Sequence, residues 1–130
     1  MTNSEWKLFL LTSRSALGKG AALSWVSESW CAWTTFSSLK HQLTYWACGL
    51  PDESELLENS TVDGGLWTQS FSYGDIAHIV IPSSFYWERV VDNNFQSGFK
   101  RQDIALPSQK LSQLNIKHRN TDLVLEIKLY

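Results

Sequence analysis

The chain reads as a single α+β domain over residues 1–130, with a mainly antiparallel sheet of roughly three to five strands and about two to four helices. Three observations predict this. The closing stretch Thr121-Asp122-Leu123-Val124-Leu125-Glu126-Ile127-Lys128-Leu129-Tyr130 puts an aliphatic residue at 123, 125, 127 and 129, the period of a strand with one buried face. Asp75-Ile76-Ala77-His78-Ile79-Val80-Ile81-Pro82 is a second apolar strand, ended by its proline. Apolar residues at helical spacing occur near the start and again after Pro107, so helices mix with hairpin-like strands and do not alternate strictly with them. The row at 123, 125, 127 and 129 requires a core, and the last strand is expected centrally or against residues 76–81.

Taken in order, Ser4-Glu5-Trp6-Lys7-Leu8 opens a short helix capped by Asn3 or Ser4, with Trp6, Phe9, Leu10 and Leu17 along one side, a strand being the rival for so short and apolar a run. Gly18-Lys19-Gly20 breaks it. The lysine between glycines lacks the spacing and the following Lys-Ser/Thr of a phosphate loop, so it reads as a turn. Residues 25–36 are aromatic, small or β-branched with apolar residues on both faces, which predicts a strand buried on both sides or carrying a bulge. Ser37-Ser38 caps a helix of about three turns through Leu39, Leu43 and Trp46, up to Gly49 and Pro51. Residues 51–65 form an acidic loop with a helical turn at 54–58. Residues 66–73 alternate Trp67, Gln69, Phe71 and Tyr73 and are expected to pair with residues 76–81 across a tight turn at Gly74. Residues 85–98 read as an amphipathic turn or an irregular packing segment before Asn93-Asn94. A helix starting at Pro107-Ser108, with Leu111 and Leu114 on one side, ends at Asn115.

At 130 residues and 43% hydrophobic, the chain is long enough to bury one core. No run approaches the roughly 18 apolar residues of a membrane span, and the opening residues lack the basic start and apolar core of a signal peptide. Both features predict a soluble cytoplasmic protein. Cys31 and Cys48, each near a tryptophan, have the setting of buried free thiols and not of a disulfide framework or zinc site. Of seven tryptophans, Trp25, Trp30, Trp33 and Trp46 crowd one stretch, which predicts core positions for most and leaves one or two for an interface.

No catalytic, metal or nucleotide motif stands out, and no cofactor is expected. His41, His78 and His118 have no metal-site spacing. His78 reads as a packed or solvated sheet residue. His118 lies between Lys117 and Arg119 with Asp122 four residues on, a general acid beside phosphate-binding cations. That pattern makes a small hydrolase or ribonuclease the alternative function, with a non-enzymatic adaptor domain as a third.

Charge separates more clearly. Between Lys40 and Arg89 there is no lysine or arginine, while Asp52, Glu53, Glu55, Glu58, Asp63, Asp75 and Glu88 give a formal −7, against +2 for residues 1–40 and +3 for residues 89–130. Such segregation repels nucleic acid and steers a basic protein toward the chain, the alternative being a solvated acidic loop with no partner. The layout of Ser4-Glu5-Trp6-Lys7-Leu8 in an opening helix, Gly74-Asp75-Ile76-Ala77-His78-Ile79-Val80-Ile81 in a middle strand, then a helix and a closing strand, resembles small bacterial immunity proteins of polymorphic toxin and contact-dependent growth inhibition systems. Residues 18–73 lie outside the resemblance. It implies a cytoplasmic, non-enzymatic inhibitor whose partner is a cognate toxin domain, with a nuclease-type, basic surface. On this reading Asp52, Glu53, Glu55, Glu58 and Asp63 meet the partner and Trp46 and Trp67 anchor it, without nucleic acid or membrane.

Overall fold

The computed structural model describes residues 1–62 and 69–130. In chain order the elements are α1 (Asn3–Leu17), β1 (Cys31–Thr35), α2 (Phe36–His41), β2 (Trp46–Cys48), β3 (Ser60–Val62), β4 (Ser70–Ser72), β5 (Ile76–Pro82), β6 (Ser84–Val91), β7 (Asn94–Arg101), α3 (Ala105–Gln113), β8 (Arg119–Asn120) and β9 (Val124–Lys128). The fold is α+β. One five-stranded sheet in the order β2-β1-β5-β9-β8, antiparallel at every pairing, is accompanied by two-stranded sheets β3-β4 and β6-β7.

β5 is central because both its edges are paired and its residues 76, 77, 79 and 81 are apolar and buried. Its register sets Ile79 against Ile127 and Ile81 against Leu125, so two aliphatic rows share one face of the sheet. On this face they join Trp6, Phe9 and Leu10 of α1, Trp33 of β1 and Leu111 of α3 in one core cluster. The last strand therefore lies against residues 76–81, as expected, but its row is only half buried. Leu125 and Ile127 are 0% and 4% exposed, whereas Leu123 and Leu129 are 74% and 40% exposed. The reason is a turn: the Thr121 hydroxyl accepts from the N–H groups of Leu123 and Val124, which curls the chain before β9 begins.

The α1 cap is Thr2, not Asn3 or Ser4. Its hydroxyl accepts from Glu5 N–H at 3.1 Å while the Glu5 carboxylate accepts from Thr2 N–H at 2.7 Å, satisfying two otherwise unpaired donors. Gly18 ends the helix at φ 108°, a conformation costly for any residue with a Cβ.

Several boundaries depart from the sequence reading. The strand expected over 25–36 contracts to β1, with a register irregularity at Thr34/Thr35. The helix expected through Trp46 stops at His41, since Ser38 Oγ accepts from Thr44 N–H and donates to Gln42 C=O, turning the chain so that Trp46 enters β2. A 3-10 turn occupies Glu53–Glu55. Of the stretch expected to pair with residues 76–81, residues 66–68 lie outside the described residues and β4 pairs with β3 instead, a 3-10 turn at Tyr73–Asp75 separating it from β5. Residues 85–98 are no irregular segment but most of the β6-β7 hairpin, closed by Asp92 and Asn93 at φ 50° and 63°. Positive φ at both central residues is the backbone of a two-residue turn matched to strand twist. α3 begins at Ala105 with Pro107 in its first turn, and Asn115 at φ 58° lies just beyond its end. Leu111 is fully buried, whereas Leu114 is 44% exposed. Among the described residues no helix is long and apolar enough to cross a membrane.

Cys31 and Cys48 are register partners on β1 and β2, both buried and unbridged. Their burial predicts that a thiol reagent labels them in folded protein far more slowly than in denatured protein, as a time course with and without denaturant would measure. The half-buried β9 row yields a second contrast. Leu125→Ala should cost about 2–5 kcal/mol in urea denaturation and Leu123→Ala no more than about 0.5 kcal/mol. Equal losses would mean that the strand packs differently.

Candidate functional site

The β6-β7 hairpin has two unlike faces. Because side chains alternate along each strand, Phe85, Trp87, Arg89, Gln96, Gly98 and Lys100 share one face. That face is closed by the loop preceding β1. Phe85 stacks on Trp30 at 5.6 Å between centroids. Lys100 donates to the carbonyls of Ser24, Trp25 and Ser27 at 3.3, 2.9 and 2.9 Å. Arg89 lies over the Trp25 and Trp87 rings and donates to Gln96. Just beyond β7, the buried Gln102 side chain locks the base: its Nε2 donates to Trp30 C=O and Pro82 C=O, and its Oε1 accepts from Trp30 N–H.

The opposite face is bare. Tyr86 and Phe99 are direct partners across the strands, as are Val90 and Phe95, and their exposures are 44%, 74%, 69% and 62%. Between these pairs sit Glu88 and Ser97, also exposed, with the Tyr86 hydroxyl donating to the Glu88 carboxylate at 2.9 Å. Tyrosine and phenylalanine offer large contact area for little side-chain entropy, so a rigid two-stranded platform carrying them is suited to protein binding.

A second arrangement lies across β5 and β9. His78 Nε2 is 2.8 Å from Glu126 Oε2, Glu126 Oε1 accepts from Arg119 at 2.8 Å, and His78 Nδ1 is 2.7 Å from the Tyr45 hydroxyl. With His78 neutral, Nε2–H donates to Glu126 and Nδ1 accepts from Tyr45. A carboxylate, an imidazole and a hydroxyl in line have the outline of an activated nucleophile. The Tyr45 hydroxyl, however, is pushed up to about 12, first by burial and then by the Tyr130 hydroxyl and the charge of Glu126, so its phenolate is less accessible than in free tyrosine. The chain of bonds braces β5 against β9 and β8. His78 is thus a packed sheet residue.

His118 does not join Asp122 in an acid–base pair. Its Nδ1 lies 2.7 Å from Ile116 C=O, within the turn before β8, and its Nε2 lies 2.7 Å from Ser108 Oγ, which ties that turn to α3. Ser108 lies in the first turn of α3, and its own N–H donates to Ile104 C=O. Of the flanking cations, Arg119 is paired with Glu126. A groove of about 730 Å³ runs beside this turn, bordered by Lys117, Arg119 and Lys128, and Lys128 lies 4.7 Å over the Tyr130 ring. No group of three potential metal ligands occurs among the described residues.

The acidic residues fall in different places. Asp52, Glu53 and Glu55 gather at the 3-10 turn with Glu58 just after it, Asp75 accepts from Ser37 N–H, and Glu88 stands on the hairpin. Besides Asp75 and Glu88, which accepts from the Tyr86 hydroxyl, two more are engaged within the chain: Asp52 pairs with Arg14 at 2.7 Å, and Glu55 accepts from Asp52 N–H. The Ser54 hydroxyl leads in holding the Asp52 carboxyl below its ordinary value, with Arg14 assisting. Glu53 and Glu58 are exposed. Trp46 is partly buried against Phe71 at 5.1 Å and the core, a poor position for an anchor. Asp63 and Trp67 lie outside the described residues. The sequence reading missed the bare hairpin face, although an Asp-Asn pair between two β-rich stretches was a signal for it.

A scan against protein-family models returns no match, and neither the curated proteins nor the solved structures contain one.

The Glu126 carboxyl is held below its ordinary value chiefly by His78, with Arg119 adding, against the opposing effect of burial. A depressed folded value means stability that is present above the unfolded carboxylate pKa and is lost as pH falls through the folded one. Urea titrations from about pH 6 to pH 3 should show wild type losing its advantage over Glu126→Gln as the acid end is reached. A gap that stays constant with pH would remove the charge of Glu126 from the account.

Proposed function

We propose that the protein is a non-enzymatic inhibitor that binds one partner protein through the bare face of the β6-β7 hairpin. The observation that carries the reading is the asymmetry of that hairpin, one face fixed to the chain by Lys100 and Gln102, the other presenting Tyr86, Val90, Phe95 and Phe99 to solvent. Exposed aromatic residues on a braced scaffold supply the buried anchors that dominate protein interfaces. The partner class follows from charge and from the likeness to immunity proteins: a basic, nuclease-type toxin domain met in the cytoplasm. Glu53 and Glu58, exposed beside the 3-10 turn, steer it by long-range attraction. The hydrolase alternative, as His118 with flanking cations, draws less support because His118 does not meet Asp122 and Arg119 is paired with Glu126.

The test is to search the neighbouring reading frames for a toxin domain and, with any one found, to co-express it and measure affinity. Joint Tyr86→Ala and Phe99→Ala should weaken binding by about 100-fold or more, with the melting temperature nearly unchanged. Joint Glu53→Lys and Glu58→Lys should slow association by about tenfold at low salt, an effect that fades as salt is added. Unchanged affinity in the aromatic variant would place the contact elsewhere on the surface and end this reading.

A further inference from the structure

Resting on that hairpin-docking reading, we propose that Glu88 is the receptor for a basic side chain of the partner, an arginine or lysine laid between the two aromatic pairs of the bare face. Register places Glu88 opposite Ser97, with the Tyr86/Phe99 pair on one side and the Val90/Phe95 pair on the other. Residues two apart on a strand are about 7 Å apart, so all four apolar side chains lie within reach of a cation held at the Glu88 carboxylate. The stem of an arginine or lysine has apolar surface to cover and its head has ring edges and a carboxylate to meet.

Three features favour this occupant. Among the described residues Glu88 makes no ion pair, and its one hydrogen bond, from the Tyr86 hydroxyl, orients the carboxylate while leaving its charge uncompensated. The neighbouring cations are committed elsewhere: Arg89 and Lys100 project from the other face, and Arg101, although on this face, is four residues from Ser97 along β7, about 13 Å away. An acidic partner would be repelled. A second copy of this chain docked by a two-fold axis through the centre of the face would bring two Glu88 carboxylates together, at a cost in like-charge repulsion.

Titration of isotope-labelled full-length protein with N-acetyl-arginine amide, followed by amide and side-chain NMR, tests the site without any toxin. Saturable shifts are expected at residues 86–90 and 95–99. N-acetyl-norleucine amide and N-acetyl-glutamate amide should each bind at least about threefold more weakly, and Glu88→Gln should weaken the arginine probe by about fivefold, the scale of an exposed ion pair. Shifts that are absent, that fall elsewhere, or that are equal for all three probes would overturn the proposal. So would a Glu88-dependent dimer in sedimentation. If the toxin needs Tyr86 and Phe99 but binds Glu88→Gln normally, and the arginine probe is ignored, the docking face stands and only the role of Glu88 falls. If the probe binds as expected while the toxin ignores the hairpin, the toxin reading falls and the cation site remains.

Discussion

The pairing of β5 on both edges is the constraint from which the remaining elements take their places. A strand with neighbours on each side has its backbone donors and acceptors satisfied within the sheet, leaving only its two faces to be dealt with. One face carries Ile79 and Ile81 and draws α1 and α3 over itself through Phe9, Leu10 and Leu111. The other carries His78, whose neighbours Tyr45 and Glu126 come from outside β5. At the end of β5, Gln102 binds Pro82 C=O, so the hairpin inherits its position from the same strand. Core, polar brace and platform are thus consequences of one register.

What the sequence revealed was the part governed by local periodicity. Residues 76–81 form a short apolar run ended by a proline, residues 123–129 carry an aliphatic side chain at every second position, and both contain strands of the central sheet. Local periodicity also misled. Leu39, Leu43 and Trp46 keep helical spacing, yet the Ser38 hydroxyl captures the chain at Thr44, so the spacing of the last two residues has no helix beneath it. Leu123 and Leu129 extend the alternating row beyond the residues that are paired in the sheet. The hairpin escaped for a different reason: apolar residues occupy both of its faces, Phe85 and Trp87 on one and Tyr86 and Val90 on the other, which erases the polar alternation by which a half-buried strand is recognised. A run apolar on both faces can mean a fully buried strand or one whose second face lacks cover, and burial alone separates the two.

Candidate site residues were legible in proportion to how little they depended on register. The acidic excess is a property of composition and is visible without coordinates, but its division into engaged and exposed carboxylates is not. Asp52 finds Arg14 only because the 3-10 turn packs near α1. His78 and Glu126 are 48 positions apart and meet as diagonal neighbours across β5 and β9, a contact that follows from Val80 pairing with Glu126. The position of Glu88 between two aromatic pairs likewise exists only once the Asp92-Asn93 turn fixes which residues of β6 and β7 oppose each other.

The two-stranded construction of the platform also affects how the protein behaves in a crowded solution. Among the described residues neither β6 nor β7 has a third strand beside it, so each offers a ladder of backbone groups along its outer margin, close to exposed Val90, Phe95 and Phe99. Segments of this kind are templates for uncontrolled strand addition and fibrillar growth. Charges at Glu88, Arg89, Asp92, Lys100 and Arg101 interrupt the apolar runs and act as gatekeepers against it. Colloidal stability of this chain is therefore tied to the hairpin that carries these exposed aromatic side chains, and substitutions that add apolar area there will be limited by solubility before they are limited by folding.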